Sequence, residues 1–258
     1  MPTTIFRYDT LDLQDEANGL AVSAFVLPDR TRVPSEVAPR RHGVVRTEEP
    51  TLTERVLAFS GTIKQDTAAL LRTKLDDVLK TMNGTEKQFY LYDTTRYIVC
   101  TKTEFRSRFR PGPAMTVLDY DCELFASDPF WIAATGTTDT QTASNWPTSA
   151  LSWTHTNSGS ALVFPTYTVT ANVAGAVAGP ITLTNSTTGK SWTFSATIAS
   201  GKSMVFNTAN FTVTNDGADA INSMTGVPVW LTSGSNSLSF SGGNATFKIA
   251  YNARYYGP

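Results

Sequence analysis

The charged residues of this chain are concentrated in its first half. All but four of the 21 Lys and Arg residues, and all but two of the 22 Asp and Glu residues, precede residue 140. After that point Ser, Thr, Asn, Gly and Ala dominate, but apolar positions recur regularly, so the second half can still bury a core. This break predicts two domains, residues 1–134 and 140–258, each of ordinary domain size.

A single helix among many strands is predicted for the first domain. The apolar positions between Thr67 and Met82 fall on one helical face, with Asp66 as the predicted N-cap and Gly84 after the last turn. The strand-like segments around it are residues 5–8, 20–25, 55–63, 88–92, 97–109 and 114–126. These elements do not alternate as βαβ units, so the pattern predicts an α+β domain.

The second domain is predicted to be all β. In the strand-like segment 166–171, Tyr167, Val169 and Ala171 alternate with threonines. The other short strand-like segments are residues 181–184, 192–198, 204–207, 211–214, 237–240 and 247–252. Turn-forming residues separate them at about the spacing expected of a β-sandwich.

Two rows of opposite charge are predicted on a long hairpin that turns at residues 110–113. The basic row is Arg106, Arg108 and Arg110, and the acidic row is Asp119, Asp121 and Glu123. Side chains alternate between faces along a strand, so each row occupies one side of the sheet. We interpret the rows as ion pairs within a subunit or across a subunit interface. Three acids on one face could alternatively hold a cation or supply paired carboxylates, but the arginines would compete for the same oxygens.

The chain shows no recognisable catalytic motif, so no enzymatic activity, catalytic residue, cofactor or metal site is predicted. His42 and His155 are the only histidines, and neither has a nearby serine nucleophile motif, so both are interpreted as polar surface residues. Cys100 and Cys122 lack metal-ligand spacing and are interpreted as small buried side chains.

Partners other than proteins are not favoured by the overall charge. The formal net charge is -1, which favours neither nucleic acid nor a membrane surface as a partner. A proline-interrupted basic stretch is predicted to form a loop or extended arm that contacts solvent or another subunit, and its arginines are Arg30, Arg32, Arg40, Arg41 and Arg46. Trp153 and Trp230 are weak candidates for sugar contacts, because an indole face suits the apolar face of a pyranose.

The order of several short motifs resembles the siphophage distal tail protein family. In the first half these are residues 61–63 (GTI) before the helix, 93–97 (DTTRY) opening a strand, and 125–131 (FASDPFW) closing the hairpin. In the second half, residues 181–190 (ITLTNSTTGK) and 230–240 (WLTSGSNSLSF) resemble that family's galectin-like domain. The resemblance implies an amino-terminal β-barrel-like α+β domain with one helix, followed by an all-β galectin-like sandwich.

The same resemblance implies a structural role in the virion of a long-tailed phage. The amino-terminal domains would form a hexameric ring at the tail tip that joins the major tail tube protein to a tail tip hub or tail-associated protein, with the tape measure protein or receptor-binding proteins as further partners. Assembly would take place in the cytoplasm of the bacterial host. The alternative is a carbohydrate-binding adhesin that acts through the sandwich. A galectin sugar site uses His-x-Asn-x-Arg, and here Gly159 stands where the arginine would be, after His155 and Asn157.

Overall fold

A computed structural model describes residues 5–27, 29–32, 35–37, 44–46, 51–112, 114–142, 151–172, 175–242 and 245–258, with the backbone alone for 29–32, 35–37, 44–46, 51–53 and 142. The chain divides into two compact units. The amino-terminal unit is Met1–Trp131 together with Gly257–Pro258, and the carboxy-terminal unit is Ile132–Tyr256. The last two residues of the chain therefore group with the first unit, whereas the sequence assigned them to the second.

The described part of the amino-terminal unit contains one α-helix, α1 (Ala68–Met82), and a 3-10 turn at Glu16–Asn18. Its strands are β1 (Ile5–Tyr8), β2 (Leu11–Asp12), β3 (Leu20–Val26), β4 (Asp29–Arg32), β5 (Ser35–Val37), β6 (Val44–Arg46), β7 (Thr51–Lys64), β8 (Lys87–Tyr92), β9 (Arg96–Phe109) and β10 (Val117–Ala126). The main sheet has the order β2-β1-β8-β9-β10-β7-β3, with β4 also paired to β7. The predicted α+β class with one helix is confirmed.

This sheet curls towards a barrel without closing. The rings of Phe6 on β1 and Phe25 on β3 are 5.2 Å apart, yet the described pairings do not join the end strands β2 and β3 to each other. The curl brings aromatic side chains from different strands into one core around Phe89. The centroid of the Phe89 ring lies 5.0 Å from that of Phe6 and 6.2 Å from that of Trp131. The unit is barrel-like in curvature and has an open seam between β1 and β3.

The helix begins one residue later than the sequence suggested, and its N-cap is Thr67 instead of Asp66. Thr67 has an extended backbone, and its hydroxyl oxygen accepts a hydrogen bond from the amide of Leu70 at 3.2 Å, as an N-cap side chain does. Leu71, Val78 and Met82 form the buried face. Leu70 is 50% exposed, so it lies outside the apolar face on which it was predicted.

The basic stretch predicted as a loop or arm contains short strands. β4 pairs with β7, and β5 pairs with β6 in register from Ser35–Arg46 to Val37–Val44. The valines of β5 and β6 are β-branched residues that favour extended backbone, which explains a hairpin where charge alone suggested a loop. Arg40, Arg41 and His42 lie outside the described residues.

The carboxy-terminal unit is a sandwich of two antiparallel sheets, and the prediction of an all-β second half is confirmed. After β11 (Trp131–Ala133), the first sheet contains β12 (Thr137–Thr142), β14 (Thr166–Ala171), β17 (Ser203–Asn207), β18 (Thr212–Asn215), β19 (Ala218–Asp219) and β22 (Ala245–Tyr251). The second contains β13 (Leu151–Asn157), β15 (Ile181–Asn185), β16 (Lys190–Phe194), β20 (Met224–Gly226) and β21 (Gly234–Ser241). A 3-10 turn at Ile221–Ser223 and the short strand β23 (Arg254–Tyr255), which pairs with β11, complete the unit.

The inward residues of both sheets form one core. Tyr167, Trp192, Phe206, Phe240 and Phe247 are all at most 1% exposed and belong to this cluster. The predicted strand at residues 192–198 ends at Phe194, and the later apolar residue Ile198 reaches the core through an isolated bridge to Val177. No helix among the described residues is long and apolar enough to cross a membrane.

Candidate subunit interface

The two charged rows lie beside each other on one face of the hairpin β9-β10. In the antiparallel register, Asp119 stands opposite Arg108 and Asp121 opposite Arg106, whereas Glu123 stands opposite Glu104. Leu118, Tyr120, Cys122 and Leu124, which alternate with the acidic row, are buried. We call the face with the charged rows the outer face of this sheet, and the opposite, core-facing side the inner face.

The observed ion pairs differ in detail from a simple row-to-row match. Arg110 binds Asp119 through Nε and Nη2, with a shortest distance of 2.8 Å, whereas Arg106 bonds to Glu104 on its own strand at 2.6 Å. The hydrogen bond from Arg110 lowers the pKa of Asp119, and the nearby Arg108 lowers it further. The side chain of Arg106 is 73% exposed and that of Arg110 is 57% exposed, so each pair in a single chain is a surface pair.

Small side chains on the neighbouring strands produce a groove beside the charged rows. Ala24, Ala58 and Ser60 line one side of this groove, Arg106 and Asp121 line the other, and its volume is about 520 Å³. The outer face of the four-stranded segment β3-β7-β10-β9 therefore carries its charged rows on β9 and β10, beside a shallow depression over the small side chains of β3 and β7.

The outermost strands of this four-stranded segment, β3 and β9, are only partly covered by neighbouring strands on their far sides. The described strand pairing of β3 is with β7 alone, and on its other side the amides of Leu20 and Val22 donate to the Asp15 carbonyl and to the side-chain oxygen of Gln14. In β9, residues 101–109 pair with β10 and Ile98–Cys100 pair with β8, and β9 also pairs with β11. An unpaired row of backbone N–H and C=O groups is a template for another strand. Sequence periodicity predicted these strands but could not show which of them lie at an edge.

Among the described residues, no group of three or more His, Cys, Asp and Glu side chains is arranged to hold a metal ion. The acidic row therefore does not converge on a common point. Cys100 and Cys122 are free thiols buried between β9 and β10, as predicted, and burial raises the pKa of both.

His155 is buried in the sandwich, so its interpretation as a surface histidine is wrong. It is 6% exposed, its Nδ1 lies 2.8 Å from Asp139 Oδ2, and its Nε2 lies 3.0 Å from the hydroxyl of Tyr251. These partners come from β12 and β22 of one sheet, while His155 belongs to the other sheet. The sequence did not indicate this burial, because the residues on the inward and outward faces of β13 are nearly equal in polarity.

The two candidate sugar-contacting tryptophans have different surroundings. Trp153 is half-buried and packs edge-on against buried Phe247, with ring centroids 5.3 Å apart. Core packing accounts for this ring. Trp230 has the Lys190 ammonium 5.0 Å from its ring centroid and Phe164 beside it, so one part of its surface is already occupied. A sugar contact stays a prediction, and of the two residues Trp230 is the better placed.

The carboxy-terminal unit matches a known family model. Residues 158–255 match the model described as the C-terminal domain of siphovirus-type tail components. No curated protein sequence matches the chain. This match covers most of the sandwich and identifies it as a phage tail domain.

Solved structures resemble the chain over almost its whole length. The Dit protein of phage SPP1, described as a paradigm of hub adsorption apparatus in phages infecting Gram-positive hosts, aligns with a TM-score of 0.74 at 14% identity, over 98% of this chain and 99% of that one. The baseplate of phage P2 in its activated conformation with Ca aligns less well, with a TM-score of 0.46 at 8% identity, over 96% of this chain and 98% of that one.

The fold and the matched domain together define a structural component of a phage tail. The resemblance to the siphophage distal tail protein family that the motif order indicated is confirmed by the family model over residues 158–255 and by the shared fold over the whole chain.

Proposed function

We propose that this protein forms a closed hexameric ring that joins the tail tube to the tip of a long, non-contractile tail. The observation that carries this proposal is the pair of unlike strand edges on the amino-terminal unit, β3 and the part of β9 beyond its pairing with β8. A cyclic oligomer needs two different surfaces on each subunit that complement one another, and a ring closes when the rotation between copies fits.

The direction of the strands supports edge-to-edge association. Neighbours within β9-β10-β7-β3 are all antiparallel, so β9 and β3 run in opposite directions within one unit. When copies are related by rotation about a ring axis, β9 of one copy meets β3 of the next antiparallel. Each added copy would therefore extend the sheet in the same pattern, and closure of the ring would cover these two edges in every copy.

The charged rows support a role at the channel of the ring or at the boundary between subunits. Arg106, Arg108 and Asp121 are exposed in the single chain and lie on the same face as the paired Arg110 and Asp119. In a ring built from the strand edges, this outer face would continue from copy to copy. A pair that becomes partly buried there would make loss of one charge costly, because the other would remain desolvated.

We propose no catalytic role for the chain. Asp119 is bound by Arg110, and Asp121 stands opposite Arg106. His155 is held by Asp139 and Tyr251. The partners that fit a ring at the tail tip are further copies of this chain, the tail tube protein on one side and a hub or tail-associated protein on the other. Assembly in the cytoplasm of the host precedes incorporation into the virion.

Sedimentation of the purified chain over a concentration series tests the ring. We expect the mass of a hexamer, and moderate salt should weaken it only in part, because strand pairing and apolar contacts are not screened. Arg108→Glu should weaken assembly more than it lowers the melting temperature. Arg72→Glu, a charge reversal at an exposed position of α1, is the matched control and should leave the mass unchanged.

A chain that remains monomeric at every concentration would contradict the ring. Equal assembly of the Arg108→Glu and Arg72→Glu variants would leave the ring in place and show that the charged rows are ordinary solvated surface.

A further inference from the structure

The open seam between β1 and β3 forms an apolar groove in the amino-terminal unit. Phe6, Val22, Phe25 and Leu91 line it, with Gln14 and Tyr92 at its margin, and its volume is about 460 Å³. Val22 and Phe25 belong to the inner face of β3, because their register partners on β7 are the buried Gly61 and Phe59. The groove is thus an incompletely filled part of the unit's own core that opens at the free edge of β3.

The margin of this groove carries an exposed and strained aromatic residue. Tyr92 is 58% exposed and has a φ of 70°, in the left-handed region that a bulky side chain rarely adopts. An exposed aromatic side chain held in such a backbone conformation is typical of contact sites, since the surrounding structure must maintain it against the strain.

The far end of β9 presents a matching apolar side chain. Phe109 is 41% exposed and stands opposite buried Leu118, so it belongs to the inner face of the sheet, the same face as Val22 and Phe25. It is the last residue of β9 and lies well beyond Ile98–Cys100, where β8 pairs with this strand. Phe105 lies four residues earlier on the same face and is already stacked on Tyr120, with ring centroids 5.4 Å apart.

We propose that Phe109 of one copy fills the seam groove of the next copy, so that each subunit completes the core of its neighbour. This inference rests on the proposed ring. If β9 of one copy extends the sheet at β3 of the next, its inner-face side chains come to lie beside Val22 and Phe25 on the continuous inner face. Phe109 is the large apolar side chain there that its own unit leaves half in solvent.

A second copy of the chain is the occupant that fits these observations. The groove is apolar, opens at one of the two free strand edges, and lies on the face that a neighbouring strand would continue. The complementary side chain is at the other free edge. Unlike patches that fit one another on a single chain are the requirement for head-to-tail association. Aromatic anchors seated in a pocket also dominate the affinity of many interfaces.

The first test compares substitutions of exposed apolar residues in the full chain by sedimentation. Phe109→Asp should weaken association by about a hundredfold or more, because a carboxylate would enter an apolar groove, whereas Phe109→Leu should weaken it by about tenfold or less. Leu70→Asp is the matched control, since Leu70 is 50% exposed on α1 of the same unit and Asp suits the first helical turn. The control should assemble as the wild type does, and all three variants should melt near the wild-type temperature.

The second test locates the contact directly. In a chain with Phe109→Cys and Val22→Cys, a short thiol crosslinker should join copies into a ladder that ends at the hexamer. The single variants, and the control pair Leu70→Cys with Val22→Cys, should give no ladder. The native Cys100 and Cys122 are buried and remain as an internal background.

The outcomes separate this contact from the ring itself. A wild-type hexamer that persists in Phe109→Asp and gives no Phe109–Val22 ladder would overturn the contact and leave the ring. A wild-type chain that is monomeric throughout and gives no ladder would overturn both. Loss of assembly in Phe109→Asp together with the ladder would establish the contact.

Discussion

The two units differ in what holds their interiors together. The carboxy-terminal sandwich buries polar side chains within hydrogen-bond networks, and Asn236 is an example: its carbonyl oxygen accepts bonds from Thr232 and Asn185, and its amide donates to Thr232 and Gly234. The amino-terminal unit instead depends on an aromatic core that is left open at a seam, with free strand edges and a charged outer face. An apolar groove and a charged outer face suit the amino-terminal unit to the assembly contacts that we propose for it.

The largest expected effect tests the aromatic core of the amino-terminal unit. Phe89 is fully buried and contacts the rings of Phe6, Phe59 and Trp131. Phe89→Ala should lower the free energy of unfolding of this unit by about 3–5 kcal/mol, since it removes a large side chain and leaves a cavity. Denaturant unfolding followed by hydrogen exchange in peptides of β8 and β9 would measure it. Leu70→Ala is the exposed control, and an equal loss there would contradict the assignment of the core.

The next effect tests the buried amide network of the sandwich. Asn236→Ala should cost about 3 kcal/mol, because several buried groups lose their partner at once. Hydrogen exchange in peptides covering residues 230–240 should report the loss, while β8 and β9 remain protected. Asn210→Ala, at an exposed position, should change neither region. Spread of the destabilisation into the amino-terminal unit would show that the two units do not unfold independently.

A smaller effect is expected at the hydroxyl group that meets His155. Tyr251→Phe removes the partner of His155 Nε2 and should lower the stability of the sandwich by about 1–2 kcal/mol at neutral pH. Thermal melting of the variant beside the wild type would measure it. An unchanged melting temperature would show that His155 Nε2 finds another partner.

The same residue gives the sandwich a dependence on alkaline pH. Burial raises the pKa of Tyr251 from 10.0 to about 12, so the folded state favours the neutral phenol. Its contribution to stability is complete below pH 10 and is lost as the pH rises towards 12. Tyr8, whose pKa burial also raises to about 12, gives the amino-terminal unit the same dependence. Melting temperatures across this range should fall less steeply in Tyr251→Phe than in the wild type, and parallel curves would contradict the assignment.

The smallest effect is expected at the exposed ion pair of the outer face. Arg110→Ala removes the two-pronged contact with Asp119, but both side chains are solvated in a single chain, so the melting temperature should not change measurably. The pKa of Asp119 should rise towards its usual value, because the Arg110 hydrogen bond is the main cause of its depression. A clear fall in melting temperature of the isolated subunit would show that this face is already partly desolvated before assembly.

Sequence alone predicted the elements in which apolar and polar residues alternate clearly. β1 and β14 were predicted with their observed bounds, and α1 to within one residue. β12 and β13 were missed because Thr, Ser, Asn and Gln dominate both of their faces. In such strands polar and apolar residues do not alternate, so the sequence gives no strand pattern. The charged rows and their shared face followed from strand geometry. The free edges and the seam groove did not, because both depend on which distant strands meet and on where the curled sheet stops.

The strand β3 contains a bulge whose effect reaches beyond its own geometry. Its pairing shifts between Val22 and Ala24, so Ser23 is the extra residue, and Leu20, Val22 and Phe25 all face inward although strict alternation would turn Phe25 outward. A homologue that is one residue shorter at Ser23 would keep the same side chains on each face. Related tail proteins should therefore tolerate the loss of one residue at Ser23. One residue inserted between Ala24 and Phe25 would instead turn Phe25 outward and remove the aromatic wall of the groove.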